Sequence, residues 1–295
     1  MTTPEKTSRW IGVSILGGLF RAWLYDGRRK LAGLSGPLDP ADGADLEAAL
    51  GPHLGAWLDG ADGTDGSATL VVSGAPGAAL GRVPVSLLSL GAAVAPARDR
   101  RLALHLLPGL VQSEPPAVIR GPETAIAGFL SLNPDWDGVI CLPGPATVWE
   151  QVSAAEIVSV RCFLTAQLAG ALTGMVAEPE QTGPTTFATQ DGSEFAEALA
   201  DTIARPEMLA ARLAEAGARH QLGQPEITAR LWGALMGAEL AAARPYWLGQ
   251  QIAVIGAGAL ARIQVAGLAL QGAPATQAGT EPMQAAGLCA RWLHR

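Results

Sequence analysis

Apolar and polar positions alternate over 10–13 and again over 20–25, with Gly17 and Gly18 between the two runs. That spacing predicts two strands joined by a tight hairpin turn. "LAGLSGP" at 31–37 reads as a third strand. In "DPADGADLEAALGPHLGAWL" the apolar period changes to three and four, placing Leu46, Leu50, Leu54 and Trp57 on one face of a helix. "ADGTDGS" is a polar turn run, and "ATLVVSG" is a short continuous apolar run that ends at Gly74, the pattern of a buried strand. Proline and glycine interrupt "GRVPVSLLSLGAAVAPARDR", which reads only weakly, before "RLALHLLPGL" and "AVIR" resume as strands.

Helical periodicity dominates beyond that point. The pattern predicts a helix over 123–132, a buried strand in "GVICLPG", and a hairpin from "TVWEQV" to "EIVSV" with "SA" near its turn. Helices follow over 163–173, 193–203, 206–216 and 225–243, with Ser193 as an N-cap. "QQIAVIGAGALARIQVAGLALQG" reads as strand, glycine turn and helix, and a last helix covers 282–293. A sheet-rich half followed by a helix-rich half predicts an α/β protein of two lobes. We expect a sheet-rich N-terminal lobe over 1–112 and a helix-rich C-terminal lobe over 113–295, the last helix being free to pack back toward the first lobe.

Composition narrows the function classes. A net charge of −7 and a pI near 5.1 argue against a nucleic-acid binder, which needs a basic surface. With 49% hydrophobic and 16% charged residues, the chain is one that folds. No apolar run is long enough to span a bilayer, and "MTTPEKTSRW" has no signal-like apolar core. The expectation is a cytoplasmic protein without a membrane or nucleic-acid partner. Cys141, Cys162 and Cys289 are odd in number and lack metal-ligand spacing, so no metal site is expected from them. His53, His105, His220 and His294 are scattered, and Ser73 lacks the spacing of a nucleophile elbow. The polar stretch 177–195 reads as a solvated loop or a lid.

Glycine turns after strands let a backbone approach phosphate closely. Three stand here: Gly17 with Gly18, "LPGP" at 142–145, and "VIGAGALA" at 254–261. The last imitates a dinucleotide fingerprint, yet the chain beyond it leaves little room for the entire βαβ unit that fingerprint needs, and a tight strand-to-helix turn with close packing is the other reading.

Read in order, "WIGVSILGGLFRAWLYDG", "LLPGLVQSE…VIRGPETAIAGFL", "VICLPGPATVWEQV", "VRCFLTAQLAGAL", "LWGALMGAELAAARPYW" and "IAVIGAGALAR" resemble the 2-dehydro-3-deoxygalactonate kinase family of the actin-like ATPase and sugar-kinase superfamily. The resemblance spans nearly the whole chain. It implies a two-lobed actin-like fold with a central cleft, ATP and Mg2+ as cofactors, and phosphorylation of 2-dehydro-3-deoxygalactonate at its 6-hydroxyl in galactonate catabolism. It assigns Ser14, Gly17, Gly18, Gly144, Gly256 and Gly258 to the nucleotide and its phosphates. Arg21, Arg120 and Thr124 go to the sugar acid and Glu123 to catalysis, with no metal ligand. A homodimer stays open.

The departures are one-sided. The family's Asp-Trp-Gly-Ser-Thr-Asn is here Ser14 to Leu19, and its Ser-Asn after Gly74 is Ala78 and Ala79. Its Pro-Gly-Thr-His-x-Lys-Trp is here Pro143, Gly144, Pro145, Ala146, Thr147, Val148 and Trp149, and its Thr-Gly-Glu is Thr165, Ala166 and Gln167. Shape-giving positions persist while charge-handling ones have become small or apolar. Phosphoryl transfer rests on charge stabilisation, and losing one such group commonly costs about 2.7–4 kcal/mol. The first reading is therefore a family member with phosphotransfer lost or severely reduced, a pseudokinase. The alternatives are an active sugar-acid kinase using Glu123 and Arg120, or a non-catalytic sugar-acid or nucleotide binding partner.

Overall fold

The computed structural model describes residues 9–38, 45–58, 68–173, 193–222 and 227–294. The polar run 61–67 and most of 177–195 lie outside these, as does the side chain of His220. The chain divides into two compact α/β units, Met1–Trp136 with Ala155–Ile157 and Glu281–Arg295, and Asp137–Ala154 with Val158–Thr280.

The first unit begins with β1 (Arg9–Leu16), β2 (Leu19–Asp26) and β3 (Arg29–Pro37), an antiparallel meander. Gly17 and Gly18 make the β1–β2 turn with φ of 62° and 79°, the left-handed geometry that two-residue hairpins require. Helix α1 (Leu46–Leu58) leads to β4 (Ala68–Ser73), which pairs parallel to β1. Next come β5 (Leu80–Arg82), β6 (Ala93–Ala95), β7 (Leu102–Leu106), β8 (Gly109–Gln112), β9 (Ala117–Ile119) and α2 (Pro122–Leu132). The main sheet runs β3-β2-β1-β4-β7-β6, and a smaller one runs β5-β8-β9.

At the centre of the main sheet, in β1, β2 and β4, both faces are buried, and the period of two sorts the side chains between them. Ile11, Val13, Phe20, Leu70 and Val72 pack with Leu50, Leu54 and Leu58 of α1. On the other face Trp10, Trp23, Tyr25 and Val71 pack with Leu288 of α9 (Thr280–Leu293). Alternation then puts Ser14, Arg21 and Ser73 on that α9 face.

The second unit holds β10 (Gly138–Leu142), β11 (Thr147–Ser153), β12 (Glu156–Phe163) from Val158 onward, α3 (Thr165–Thr173), α4 (Glu194–Ala204), α5 (Leu209–Gln221), α6 (Ile227–Ala242), α7 (Arg244–Trp247), β13 (Ile252–Ile255), α8 (Ala259–Leu270) and β14 (Thr276–Ala278). Its sheet runs β12-β11-β10-β13-β14, and β10 and β13 are buried on both faces, as their unbroken apolar runs predict. Ser193 caps α4, its Oγ accepting the Ala196 amide at 3.2 Å. The helix expected over 206–216 opens as a 3-10 turn, Pro206–Met208, before α5, and β12 runs to Phe163, so α3 starts two residues later than the pattern suggests.

Candidate functional site

Three strands of the first unit bring polar groups into one row. Ser14 of β1 is the register partner of Arg21 on β2 and of Ser73 on β4. All three are buried. Arg21 donates from Nη1 to Oε1 of Gln284 on α9 at 3.1 Å. Burial pulls the Arg21 guanidinium below its ordinary pKa, and Glu281 on α9 opposes that shift.

The other end of the row meets the first turn of α2. Arg291 on α9 donates from Nη1 to Thr124 Oγ1 at 2.7 Å and stands 3.4 Å from Glu123 Oε1, while Nη2 donates to the Pro108 carbonyl at 2.6 Å. Ser73 Oγ lies 2.5 Å from Thr124 Oγ1 and donates to Glu123 Oε1 at 3.3 Å. Each hydroxyl has one proton. If Ser73 gives its proton to Glu123, Thr124 must give its own to Ser73, which closes a ring Arg291–Thr124–Ser73–Glu123. Burial raises the Glu123 pKa, with the Arg291 charge working against it.

Within this array some buried atoms lack a hydrogen-bond partner among the described residues: Ser14 Oγ, Glu123 Oε2 and Gln284 Nε2. Arg120, half-buried beyond β9, has an unpartnered Nε of the same kind. The Gly121 that follows it approaches the Ile15 carbonyl closely, since a Cβ there would stand 2.5 Å from that oxygen. The structure thus brings Ser14, Arg21, Glu123 and Thr124 into one row and sets the Arg120–Gly121 backbone against β1 beside Ser14. Gly17 and Gly18 are exposed in the turn beyond it.

Gly144, Gly256 and Gly258 belong to the second unit, beyond the C-terminal ends of the neighbouring parallel strands β10 and β13. That edge is where open α/β sheets take ligands. Gly256 is fully engaged: its amide donates to Ala278 at 2.8 Å and its carbonyl accepts from Gln277 Nε2 at 2.8 Å. Gly258 is the N-cap residue of α8 and brings no side-chain cap. Behind this edge sits Glu239 of α6, nearly fully buried. It accepts from Trp149 Nε1 at 3.0 Å and from Thr165 Oγ1. Burial raises its pKa, and its bonds from Thr165 and Trp149 oppose the rise.

Sequence reasoning missed Gln284, Arg291 and Glu239, and set Ser73 aside. Glu239 alone left a trace, as the one acid in the apolar helix 227–242. Arg291 meets partners 167 and 168 residues away and has no local signature.

A search of curated proteins finds no match by sequence. Among solved structures, a protein from Sinorhizobium meliloti to which 2-dehydro-3-deoxygalactonokinase activity is ascribed aligns with a TM-score of 0.78. It is 22% identical, over 96% of this chain and 95% of its own. The (R)-2-hydroxyglutaryl-CoA dehydratase component A of Acidaminococcus fermentans aligns at a TM-score of 0.49 and 10% identity, over 97% of this chain and 96% of that one. A glucokinase from Balamuthia mandrillaris gives 0.39 and 11%, over 96% and 94%. The first of these likenesses shows the sugar-kinase fold. A sequence profile described as 2-keto-3-deoxy-galactonokinase matches residues 19–291, from β2 through Arg291, and the chain belongs to that family.

Proposed function

We propose that the chain binds a 2-keto-3-deoxy sugar acid and a nucleotide, and that its phosphoryl transfer is lost or severely reduced. Ser14 carries this reading. It stands opposite Arg21 near the end of β1, where the family pattern has an aspartate, and its hydroxyl has no hydrogen-bond partner among the described residues. A neutral hydroxyl cannot supply the charge that positions a metal or stabilises a transferring phosphoryl group. The one carboxylate of the ring, Glu123, faces Arg291.

Mg2+ takes carboxylate, phosphate and water oxygens in an octahedron. The row offers that one engaged carboxylate, then hydroxyls, an amide and guanidinium groups, and these do not suit it. Among the described residues no three His, Cys, Asp or Glu side chains gather as a metal site. For the sugar acid, Arg21 and the unpartnered Nε of Arg120 are donors suited to a carboxylate. For the nucleotide, the amides of the first turn of α8 after Gly258 are suited to phosphate. Gly256 contributes shape only, since its amide is engaged.

A second reading, an active sugar-acid kinase with Glu123 as base, draws support from the unpartnered Oε2 of that residue. One experiment separates the two. The purified protein is titrated by calorimetry with 2-dehydro-3-deoxygalactonate and with ATP–Mg2+, and phosphorylated product is measured in parallel. The expected result is binding heat without turnover. Turnover in the range of roughly 1–100 per second typical of kinases, abolished by Glu123→Gln in a folded protein, establishes the second reading instead.

A further inference from the structure

The first unit has a cavity of about 290 Å³ that takes no part in the polar row. This is near the lower end of the roughly 300–1,000 Å³ of small-molecule sites. Its walls are mainly apolar: Leu87 from a 3-10 turn, Leu130 near the end of α2, Pro134 just beyond it, and Ala290 of α9, with Ser86 and Ser131 as the hydroxyl-bearing exceptions. Arg28, from the β2–β3 turn, and His294, just past α9, also line it, and none of its lining residues is acidic.

The simplest competing account makes these groups complements to the helix ends, which carry partial negative charge. At α2 that role is already filled. The Asn133 amide donates to Phe129 and Leu130 at 3.0 and 3.2 Å, Asn133 Nδ2 donates to Phe129 at 2.9 Å, and Ser131 Oγ donates to Gly128 at 2.8 Å. Arg28 is exposed, and no hydrogen bond or ion pair engages its guanidinium among the described residues.

We infer that this cavity is a binding site for a small amphipathic carboxylate, with the apolar tail against Leu87, Leu130 and Ala290 and the carboxylate at Arg28 and His294. The assignment follows from charge complementarity. A mainly apolar lining, whose Ser131 hydroxyl is already donated to Gly128, disfavours a sugar acid, most of whose hydroxyls would be left without partners, and a basic mouth without acids disfavours an amine.

The test is calorimetric titration of the full chain with sodium octanoate, with octylamine as the charge-reversed probe. Octanoate should bind once per chain and octylamine should not. Arg28→Gln, at an exposed position, should weaken octanoate about fivefold, and Ala290→Phe, which fills the cavity, should abolish binding. Equal binding of both probes, octanoate affinity unchanged in Arg28→Gln, or absence of octanoate heat each overturns the assignment. Should Ala290→Phe fail to fold by thermal melting, the Arg28→Gln result decides. None of these outcomes depends on sugar-acid or nucleotide binding.

Discussion

Arg291 reaches from the last turn of α9 to Thr124 Oγ1 at 2.7 Å, and stands 3.4 Å from Glu123, with both charged side chains wholly buried. It ties the end of the chain to the start of α2. Two charges out of water are tolerable only when paired and hydrogen-bonded. Removing one strands the other, whereas removing both together does not.

Arg291→Met is therefore expected to destabilise the protein by about 3–5 kcal/mol. Glu123→Gln in that background should recover a substantial part of the loss, because the stranded carboxylate is gone. Urea denaturation of the two single variants and the double variant measures this. Purely additive losses would show that the pair is not coupled.

The pH dependence of stability has a definite sign. Burial raises the pKa values of Glu123 and Glu239 above 4.5. Between 4.5 and those raised values the folded chain holds protons that the unfolded chain has released. The stabilisation is thus fully present below 4.5 and is lost as pH climbs through the folded values. Each carboxyl contributes a fall of at most about 1.4 kcal/mol per pH unit. Unfolding free energies measured from mildly acid to neutral pH should show the decline, and Glu123→Gln with Glu239→Gln should flatten it.

Elements whose causes are local were legible in the sequence. Gly17 and Gly18 dictate the hairpin because only the left-handed region closes a two-residue turn, and Ser193 marks its helix because a hydroxyl satisfies an orphan amide. Of the row, Ser14, Arg21, Glu123 and Thr124 were found through their places in family motifs. Gln284 and Arg291 were not, since they act across more than 160 residues and only the register of α9 on the sheet brings them in. Of the three-residue strands, β9 was read from its apolar run "AVIR", whereas β5, β6 and β14 were missed or read weakly, because three residues cannot display a period and glycine or proline stands close to each.

That register depends on close helix contact. A Cβ on Gly287 of α9 would run into the Thr124 carbonyl of α2, and one on Gly128 of α2 would run into the Met283 carbonyl. Gly287→Ala should cost about 3 kcal/mol or more, above the usual range for overpacking because the obstacle is backbone. Gly51 and Gly55 of α1 have open space around the same position. Alanine there should stabilise by about 0.5–1 kcal/mol each. Thermal or urea melts of the three variants give the contrast, and a neutral Gly287→Ala would refute the packing.

Ser14 separates structural from functional demands at a single atom. Its buried Oγ lacks a hydrogen-bond partner among the described residues. Such a group costs about 1–3 kcal/mol to bury. If stability alone governed the position, Ser14→Ala would be neutral or stabilising by about 1 kcal/mol, and that is the expected melt. The same variant should weaken ATP binding if the hydroxyl is kept for a phosphate. Ser14→Asp restores a carboxylate opposite Arg21, its register partner. The guanidinium there offsets much of the cost of burying a charge. ATP-dependent phosphorylation rising above the parent protein in Ser14→Asp would support the proposed loss of phosphoryl transfer and trace it to this position. A folded Ser14→Asp protein with no gain would move the proposed deficit to other departures, such as Ala146 and Val148.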